Sequence, residues 1–276
     1  MDADGAQLDM ARKLQLSEED FAALKRYADE RNILFLSTPF DDTSADLLDE
    51  LEIPAFKIPS GEITNLSLIR HIATKRKPVV LSTGMAFLGE VEHAVRVLGE
   101  SGCPALAVLH CVSNYPAEPA DANLRAMATM EAAFNVPVGF SDHTAGIEIA
   151  LAAAALGAAI IEKHFTLDQA VPGPDHRASM NPEQLRALVA GIRKIEAALG
   201  DGVKTPQAAE ADTRMVARRS LFVDRAVLAG KALEAADLVA LRPAGGIGPE
   251  RLDLVVGRRA VRPLDAGTML SWSDLG

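Results

Sequence analysis

Two histidines each follow a short apolar run at the places where chemistry is most plausible. His143 follows VPVGFSD and His164 follows AAIIEK, with a stretch of small residues between them. This order is typical of two neighbouring parallel strands joined by a helix, whose carboxyl ends meet at one edge of a sheet. Neutral imidazole binds Mn, Fe, Co and Zn, and two histidines leave positions open for water or substrate. We therefore expect His143 and His164 to bind a divalent metal ion, with buried structural histidines as the alternative.

Polar residues also follow the other apolar runs. Lys57, Ser60, Ser82 and Ser141 stand at matching places, where a lysine supplies a positive charge and hydroxyls supply hydrogen-bond donors. Because the ends of parallel strands converge on one rim, these four side chains predict a phosphate-binding site there. Each serine taken singly could instead be a strand-end cap.

Further candidates lie beside these strand ends. Glu62 and Asp175 are loop carboxylates that could act as a general base or accept a hydrogen bond from a sugar hydroxyl, or could simply be solvated. Tyr115 could contact a sugar ring or pack against the proline that follows it. Asp142 and Glu162 could orient the two histidine rings. Cys111 is expected to be buried and without a chemical role.

The elements that would position these residues alternate regularly. Six strand-then-helix units are predicted, beginning with a strand at Ile33–Phe40 and ending with an amphipathic helix at Pro182–Leu199. A spacing of roughly 22 to 30 residues per unit fits a (β/α)8 barrel better than a doubly wound sheet. No GxGxxG turn follows a strand, which disfavours a dinucleotide-binding fold. A complete barrel needs eight strands, so six is a shortfall.

The chain is predicted to contain two domains. Residues 1–199 form the α/β domain, residues 200–216 read as a polar linker, and residues 217–276 read as a β-rich module with frequent Gly and Pro turns. Two segments of this module share a pattern that ends in AADLVAL and in SWSDL.

Composition limits the classes of function. The 276 residues carry a net charge of −10, and nothing concentrates the basic residues, which argues against nucleic-acid binding. Two cysteines are too few for a disulfide framework, and no apolar run is long enough to span a bilayer. The N-terminus lacks the hydrophobic centre of a signal peptide, so a cytoplasmic location is expected.

Eight motifs in order resemble the sialic acid synthase family, which includes N-acetylneuraminate synthase and the legionaminate and pseudaminate synthases. They are LSTPF, KIPSGE, LSTGM, HCVSNYP, GFSDHT, EKHFT, PGPD with SMNP, and RPAGGI. The resemblance implies a TIM-type barrel joined to a C-terminal antifreeze-like (SAF) domain. Barrels of this family begin with two further strands, and this sequence starts after them.

The resemblance also implies an activity. Phosphoenolpyruvate would condense with an N-acylated hexosamine such as N-acetylmannosamine, giving a nine-carbon 2-keto acid and phosphate. A divalent metal ion, Mn²⁺ first and Mg²⁺ or Co²⁺ as alternatives, would be held by the two histidines. In the family, the positions that match Lys57, Ser60, Ser82 and Ser141 bind phosphoenolpyruvate. The positions that match Glu62, Tyr115 and Asp175 lie near the substrates.

A domain-swapped homodimer is implied as well, in which the antifreeze-like domain caps the partner's barrel and Arg242 enters the site. Two other interpretations stay open. The chain could be a truncated member that folds and dimerises without catalysis, or a related synthase of 3-deoxy sugar acids. Because the absence of the family's first two strands would leave an open sheet edge, we expect Met1–Leu16 or a partner chain to cover that edge.

Overall fold

The computed structural model describes residue 12, residues 14–173 and residues 175–276. The chain divides into two compact units, Met1–Asp201 and Gly202–Gly276. Most of the N-terminal segment that was expected to cover the sheet edge lies outside the described residues, so that expectation stays a prediction.

The first unit is an α/β fold with an open, curled parallel sheet in the order β1-β2-β3-β4-β5. Its elements are α1 (Glu18–Asp29), α2 (Asp42–Glu50), β1 (Phe56–Ile58), α3 (Leu66–Thr74), β2 (Val79–Ser82), α4 (Leu88–Glu100), β3 (Leu106–Cys111), α5 (Ala126–Phe134), β4 (Val138–Asp142), α6 (Glu148–Ala155), β5 (Ile161–Lys163) and α7 (Pro182–Leu199). The predicted fold class, an incomplete barrel of strand–helix units, is confirmed. Across the described residues, none of the helices is both long and apolar enough to cross a membrane.

Local sequence explains where the helices begin. In α7, the side chain of Asn181 accepts a hydrogen bond from the Gln184 N–H, and the Asn181 N–H donates one to Gln184 Oε1. Pro182 occupies the first helical position, where its missing N–H costs nothing. In α3, Asn65 caps the Leu68 N–H in the same way. These signals are short-range, and the predicted bounds of α7, Pro182–Leu199, match the structure.

Apolar side chains between the sheet and its helices form the main core. Phe56, Ile58, Leu81 and Val108 come from three adjacent strands, and Leu98 of α4 packs in the same cluster, all fully buried. Complete burial of such a side chain contributes roughly 1.5–3 kcal/mol. The core therefore fixes the strands in register and, with them, the positions of the residues at their carboxyl ends.

The predicted strand at Ile33–Phe40 is wrong. Residues 33–39 form neither helix nor strand, and the Ile33 N–H bonds back to the Ala28 carbonyl at the end of α1. Phe35 packs against the main core, whereas Ile33 and Leu34 are 62% and 76% exposed. An apolar run becomes a strand only when a neighbouring strand supplies a ladder of hydrogen bonds. The described residues supply no such ladder at this position.

The second unit is small and β-rich. Strand β6 (Ser220–Val223) pairs antiparallel with β7 (Leu238–Leu241), and two short helices are present, α8 (Ala211–Ala217) and α9 (Leu252–Val255). Its core is a separate cluster that includes Leu221, Leu233, Leu264 and Leu270. The stretch predicted as a linker, residues 200–216, contains most of α8.

The repeated sequence pattern of this unit has a structural counterpart. Each copy ends in a short 3-10 turn whose aspartate is buried, Asp237 in one and Asp274 in the other. Each aspartate accepts a hydrogen bond from the backbone N–H three residues earlier. Each also forms ion pairs: Asp237 with Lys231 and Arg225, and Asp274 with Arg262. Hydrogen bonds from Lys231, the Glu234 N–H and Arg225 hold the pKa of Asp237 well below its usual range.

We expect acid to unfold the second unit through these aspartates. Because the folded-state pKa of Asp237 is lowered, its contribution is complete above the unfolded-state value of about 4 and is lost as pH falls towards the folded-state value. The chain's single tryptophan, Trp272, lies in this unit and reports its unfolding by fluorescence. The thermal midpoint should fall between about pH 5 and pH 3.

Two matched variants test whether Asp237 causes this pH dependence. Asp237→Asn should lower the midpoint at pH 7 and reduce its pH dependence, whereas Asp253→Asn on the exposed surface of α9 should change neither. A wild-type slope in Asp237→Asn would contradict the assignment.

Candidate active site

The carboxyl ends of the five strands surround one cavity of about 400 Å³. Parallel pairing places Ser82 beside Leu109, Cys111 beside Ser141 and Asp142 beside Lys163, so the polar strand ends reach the same edge. Seven of the ten residues predicted for the site line this cavity: Lys57, Ser60, Ser82, Tyr115, Ser141, His143 and His164.

A charged network crosses the cavity floor. Lys57 Nζ lies 3.2 Å from Glu162 Oε2, and the Ser141 hydroxyl donates to Glu162 Oε1 at 2.7 Å. The side chain of Lys57 is 14% exposed, so its charge is only partly screened by water. Glu162 therefore joins β1, β4 and β5 through one carboxylate. Glu162 was expected to orient a histidine ring, but its carboxylate forms an ion pair with Lys57 and accepts a hydrogen bond from Ser141 instead.

The serine hydroxyls differ in how far they are satisfied. Ser60 Oγ accepts a hydrogen bond from the Gly84 N–H at 2.8 Å, and its own O–H can donate to the Cys111 sulfur or to a ligand. Ser82 is 2% exposed, and its Oγ has no hydrogen-bond partner among the residues that the structure describes. An unsatisfied buried hydroxyl costs about 1–3 kcal/mol. At the edge of a cavity, such a group is suited to a polar ligand.

His143 is held by the backbone. Its Nδ1 lies 2.8 Å from the Val112 carbonyl, a contact that requires a hydrogen on Nδ1 and leaves the Nε2 lone pair available. The Cys111 thiol lies 3.8 Å from the same nitrogen. Burial lowers the pKa of His143, but the contacts with Cys111 and Val112 outweigh it and the net shift is upward. Burial likewise opposes ionisation of Cys111, and its contact with His143 reverses that effect, so the pKa of the thiol is lowered.

Tyr115 lies against both histidines. Its ring centroid is 4.1 Å from that of His143 and 5.4 Å from that of His164, and the two imidazole centroids are 5.2 Å apart. Burial, followed by the neighbouring charge of His143, lowers the pKa of His164. Burial also raises the pKa of Tyr115, and the negative charges of Cys111 and Asp175 add to that effect. The three rings form one compact aromatic cluster.

The two histidines fit a divalent metal that keeps open coordination positions. Their rings are adjacent, and the Val112 carbonyl fixes the tautomer of His143 as is usual for metal ligands. Among the described residues, no group of three or more His, Cys, Asp or Glu side chains is arranged to hold a metal by itself. A cation held by these two histidines would need water or substrate to complete its coordination.

Three predicted residues do not line the cavity. The Glu62 carboxylate accepts a hydrogen bond from the Asn65 side chain, next to the start of α3. Asp175 lies at the periphery, with Oδ2 4.0 Å from His164 Nδ1. Arg242 belongs to the second unit, where it is exposed directly after β7. Their proposed roles stay predictions.

Sequence reasoning missed parts of the site. Cys111 is buried as expected, but it lines the cavity beside His143 and is not remote from the chemistry. Met85 also lines the cavity, and its backbone adopts a left-handed conformation, with φ of 66°, that residues other than glycine seldom adopt. Asp142 does not orient a ring, because its carboxylate pairs with Lys163 and Thr144. No sequence signal separates a carboxylate that holds a lysine from one that holds a histidine.

Comparison with known proteins assigns the family. Residues 1–204 match the NeuB family, and residues 218–276 match the SAF domain. The chain therefore belongs to the NeuB family, with a C-terminal SAF domain. Several of its relatives are named as synthases of legionaminic acid, pseudaminic acid or N-acetylneuraminate 9-phosphate, so the chain is an enzyme of this synthase type.

Individual relatives are close in sequence. The chain is 45% identical over 273 residues to an N,N'-diacetyllegionaminic acid synthase of Legionella pneumophila, which covers 98% of this chain and 77% of that protein. It is 46% identical over 261 residues to the enzyme of the same name from Campylobacter jejuni, covering 94% and 78%. A crystal structure of N-acetylneuraminic acid synthetase from Leptospira borgpetersenii, in complex with citrate, matches with a TM-score of 0.72 and 37% identity, covering 76% of this chain and 74% of that one.

Gly84 provides a test of the packing around the cavity. A Cβ at this position would collide with Ser113 Oγ and lie 2.9 Å from Ser60 Oγ and 3.1 Å from Cys111 Sγ. We expect Gly84→Ala to destabilise the chain by about 1–3 kcal/mol, measured by denaturant unfolding. Gly89→Ala, in the first turn of α4 with nothing within 4 Å of the new Cβ, should be neutral or stabilising. Equal stability of the two variants would contradict this packing.

Proposed function

We propose that this protein condenses phosphoenolpyruvate with an N-acylated hexosamine to give a nine-carbon 2-keto acid and phosphate. The observation that carries the proposal is the convergence of Lys57, Ser60, Ser82 and Ser141 on one cavity beside two adjacent histidines. The unpartnered hydroxyl of Ser82 supports it, because a phosphate or carboxylate oxygen would satisfy that donor.

Each group has a role in this proposal. Lys57 offers its charge to the phosphate or carboxylate of phosphoenolpyruvate, and Ser60 and Ser82 offer O–H donors. Ser141 can donate to the ligand only when its hydrogen bond to Glu162 is released. C3 of phosphoenolpyruvate attacks the aldehyde carbon of the sugar, water adds at C2, and the resulting tetrahedral carbon expels phosphate. A divalent cation held by His143 and His164, with Mn²⁺ proposed first, would supply a Lewis acid for the aldehyde oxygen. Tyr115 packs against both rings and limits their movement.

Relatives support a particular class of acceptor. Two of them, at 45% and 46% identity, are named N,N'-diacetyllegionaminic acid synthases. Removing the three carbons contributed by phosphoenolpyruvate from a nine-carbon product leaves a hexose that carries both N-acetyl groups. We propose such a diacetamido hexose as the preferred acceptor and N-acetylmannosamine as the weaker one. A homodimer that brings Arg242 to the partner's site belongs to the same proposal.

Phosphate release tests the reaction. The full chain with phosphoenolpyruvate, MnCl₂ and the acceptor should release phosphate in step with a 2-keto acid detected by mass spectrometry. His143→Ala and His164→Ala should each reduce the rate more than about 100-fold, because a Lewis acid contributes several kcal/mol. His93→Ala, on helix α4 away from the cavity, is the matched control and should be unaffected. Absence of product with every acceptor would reject catalysis by this chain and favour a member that folds without turnover.

Ser82 tests the anion site separately. We expect Ser82→Ala to raise KM for phosphoenolpyruvate about 10-fold, the loss of one hydrogen bond to a charged ligand, with a smaller effect on KM for the sugar. Ser101→Ala, at the C-terminal cap of α4, is the control. A selective effect on the sugar would instead place Ser82 in the acceptor half of the cavity.

A further inference from the structure

A buried ion pair lies between the two strand ends that carry the histidines. Lys163 Nζ is 2.8 Å from Asp142 Oδ2, and the two side chains are 3% and 0% exposed. The same ammonium donates to the Thr144 carbonyl at 2.7 Å, and Asp142 Oδ1 accepts from both the N–H and the hydroxyl of Thr144. Every strong partner of this pair is therefore supplied within β4, β5 and the residues that follow β4.

The pair occupies a special place in the sheet. Asp142 and Lys163 face each other in the last register position between β4 and β5, and the next residue of each strand is a candidate metal ligand, His143 or His164. We propose that Asp142 and Lys163 act as a positioning pair that fixes the two histidines relative to each other for a divalent cation. This inference rests on the proposed function for the metal, but it has a separate test.

Strand β5 needs a contact that fixes its register against β4. It has three residues, all only partly buried, and it pairs with β4 alone in the described sheet. Apolar packing therefore specifies its register weakly, and a slip of one residue would move His164 by about 3.3 Å and turn it to the other face. A salt bridge that can form in only one register excludes that slip.

Other contacts hold the histidines from outside. The His143 carbonyl accepts from the Ala117 N–H at 2.9 Å, and the His164 carbonyl accepts from the Met180 N–H at 2.8 Å. The first bond attaches His143 to the segment that follows β3, and the second attaches His164 to the segment that precedes α7. Neither bond joins one histidine to the other. Among the described contacts, two side-chain links join the ends of β4 and β5, Ser141 to Glu162 and Asp142 to Lys163. The Asp142–Lys163 pair is the one directly next to both histidines in the sequence, and it is the more deeply buried.

The choice of variant can separate an effect on the position of the histidines from an effect on the stability of the fold. Replacing both members of a buried ion pair by neutral residues of similar size is often neutral for stability, whereas removing one member leaves an uncompensated charge and is strongly destabilising. The informative variant is therefore the neutral double substitution Asp142→Asn/Lys163→Met, which keeps the volume and an acceptor for Thr144. It removes the register-specific attraction without burying a lone charge.

Binding of Mn²⁺ alone, measured by isothermal titration calorimetry on the full chain, is the primary readout. We expect Asp142→Asn/Lys163→Met to keep a thermal midpoint close to that of the wild type and to bind Mn²⁺ about 10- to 100-fold more weakly, the usual effect of disturbing residues that orient metal ligands. The visible absorption of bound Co²⁺, which reports ligand geometry, should shift as well.

The matched control is a second ion pair in the same unit. Lys77 Nζ lies 2.7 Å from Asp49 Oδ1 at the amino end of the sheet, and Asp49→Asn/Lys77→Met should leave both Mn²⁺ affinity and the Co²⁺ spectrum unchanged. Wild-type affinity in the positioning variant, or an equal loss in this control, would overturn the inference.

Two further outcomes are distinguishable. If the double variant does not fold, Asp142→Asn/Lys163→Gln, which also removes both charges and keeps an N–H donor near the Thr144 carbonyl, is measured in the same way, and wild-type affinity there overturns the inference. If the wild type binds Mn²⁺ and His143→Ala abolishes binding while the positioning variant has no effect, only the inference fails. If the wild type does not bind Mn²⁺ at all, both the inference and the metal site of the proposed function fail.

Discussion

Parallel pairing in a fixed register is the constraint on which the site depends. Each strand from β1 to β5 contributes few residues, and the polar ones stand at or just beyond its carboxyl end. Register alone therefore decides whether these side chains converge or scatter. The buried apolar residues of the sheet and helices maintain that register, so the main core acts on the chemistry without touching the cavity.

Short-range signals in the sequence were sufficient for much of the fold. Capping residues such as Asn181, together with helical periodicity, defined helix bounds, and polar strand ends located the cavity. Long-range pairing could not be predicted in the same way. Residues 33–39 have the composition of a strand but lack a hydrogen-bonded neighbour, and the partner chosen by Glu162 depends on side-chain geometry across three strands.

The two units satisfy their buried carboxylates by the same rule. Asp142 in the first unit and Asp237 in the second each meet a lysine and at least one backbone N–H. A single cation would leave part of the lone-pair capacity of an aspartate unused, and the N–H donors fill it. The two aspartates differ in location: Asp237 stabilises a turn beside the small core of the second unit, whereas Asp142 joins two strands beside the cavity.

The contact between Lys57 and Glu162 also has a kinetic meaning. Lys57 already has a carboxylate beside it, so the anion of the proposed reaction would exchange one partner for another instead of meeting an unpaired charge. The net attraction is the difference between two similar interactions, which is smaller than either. When that anion departed, Glu162 would pair with Lys57 again. In the proposed reaction, this exchange would favour release of phosphate over tight retention of an anion.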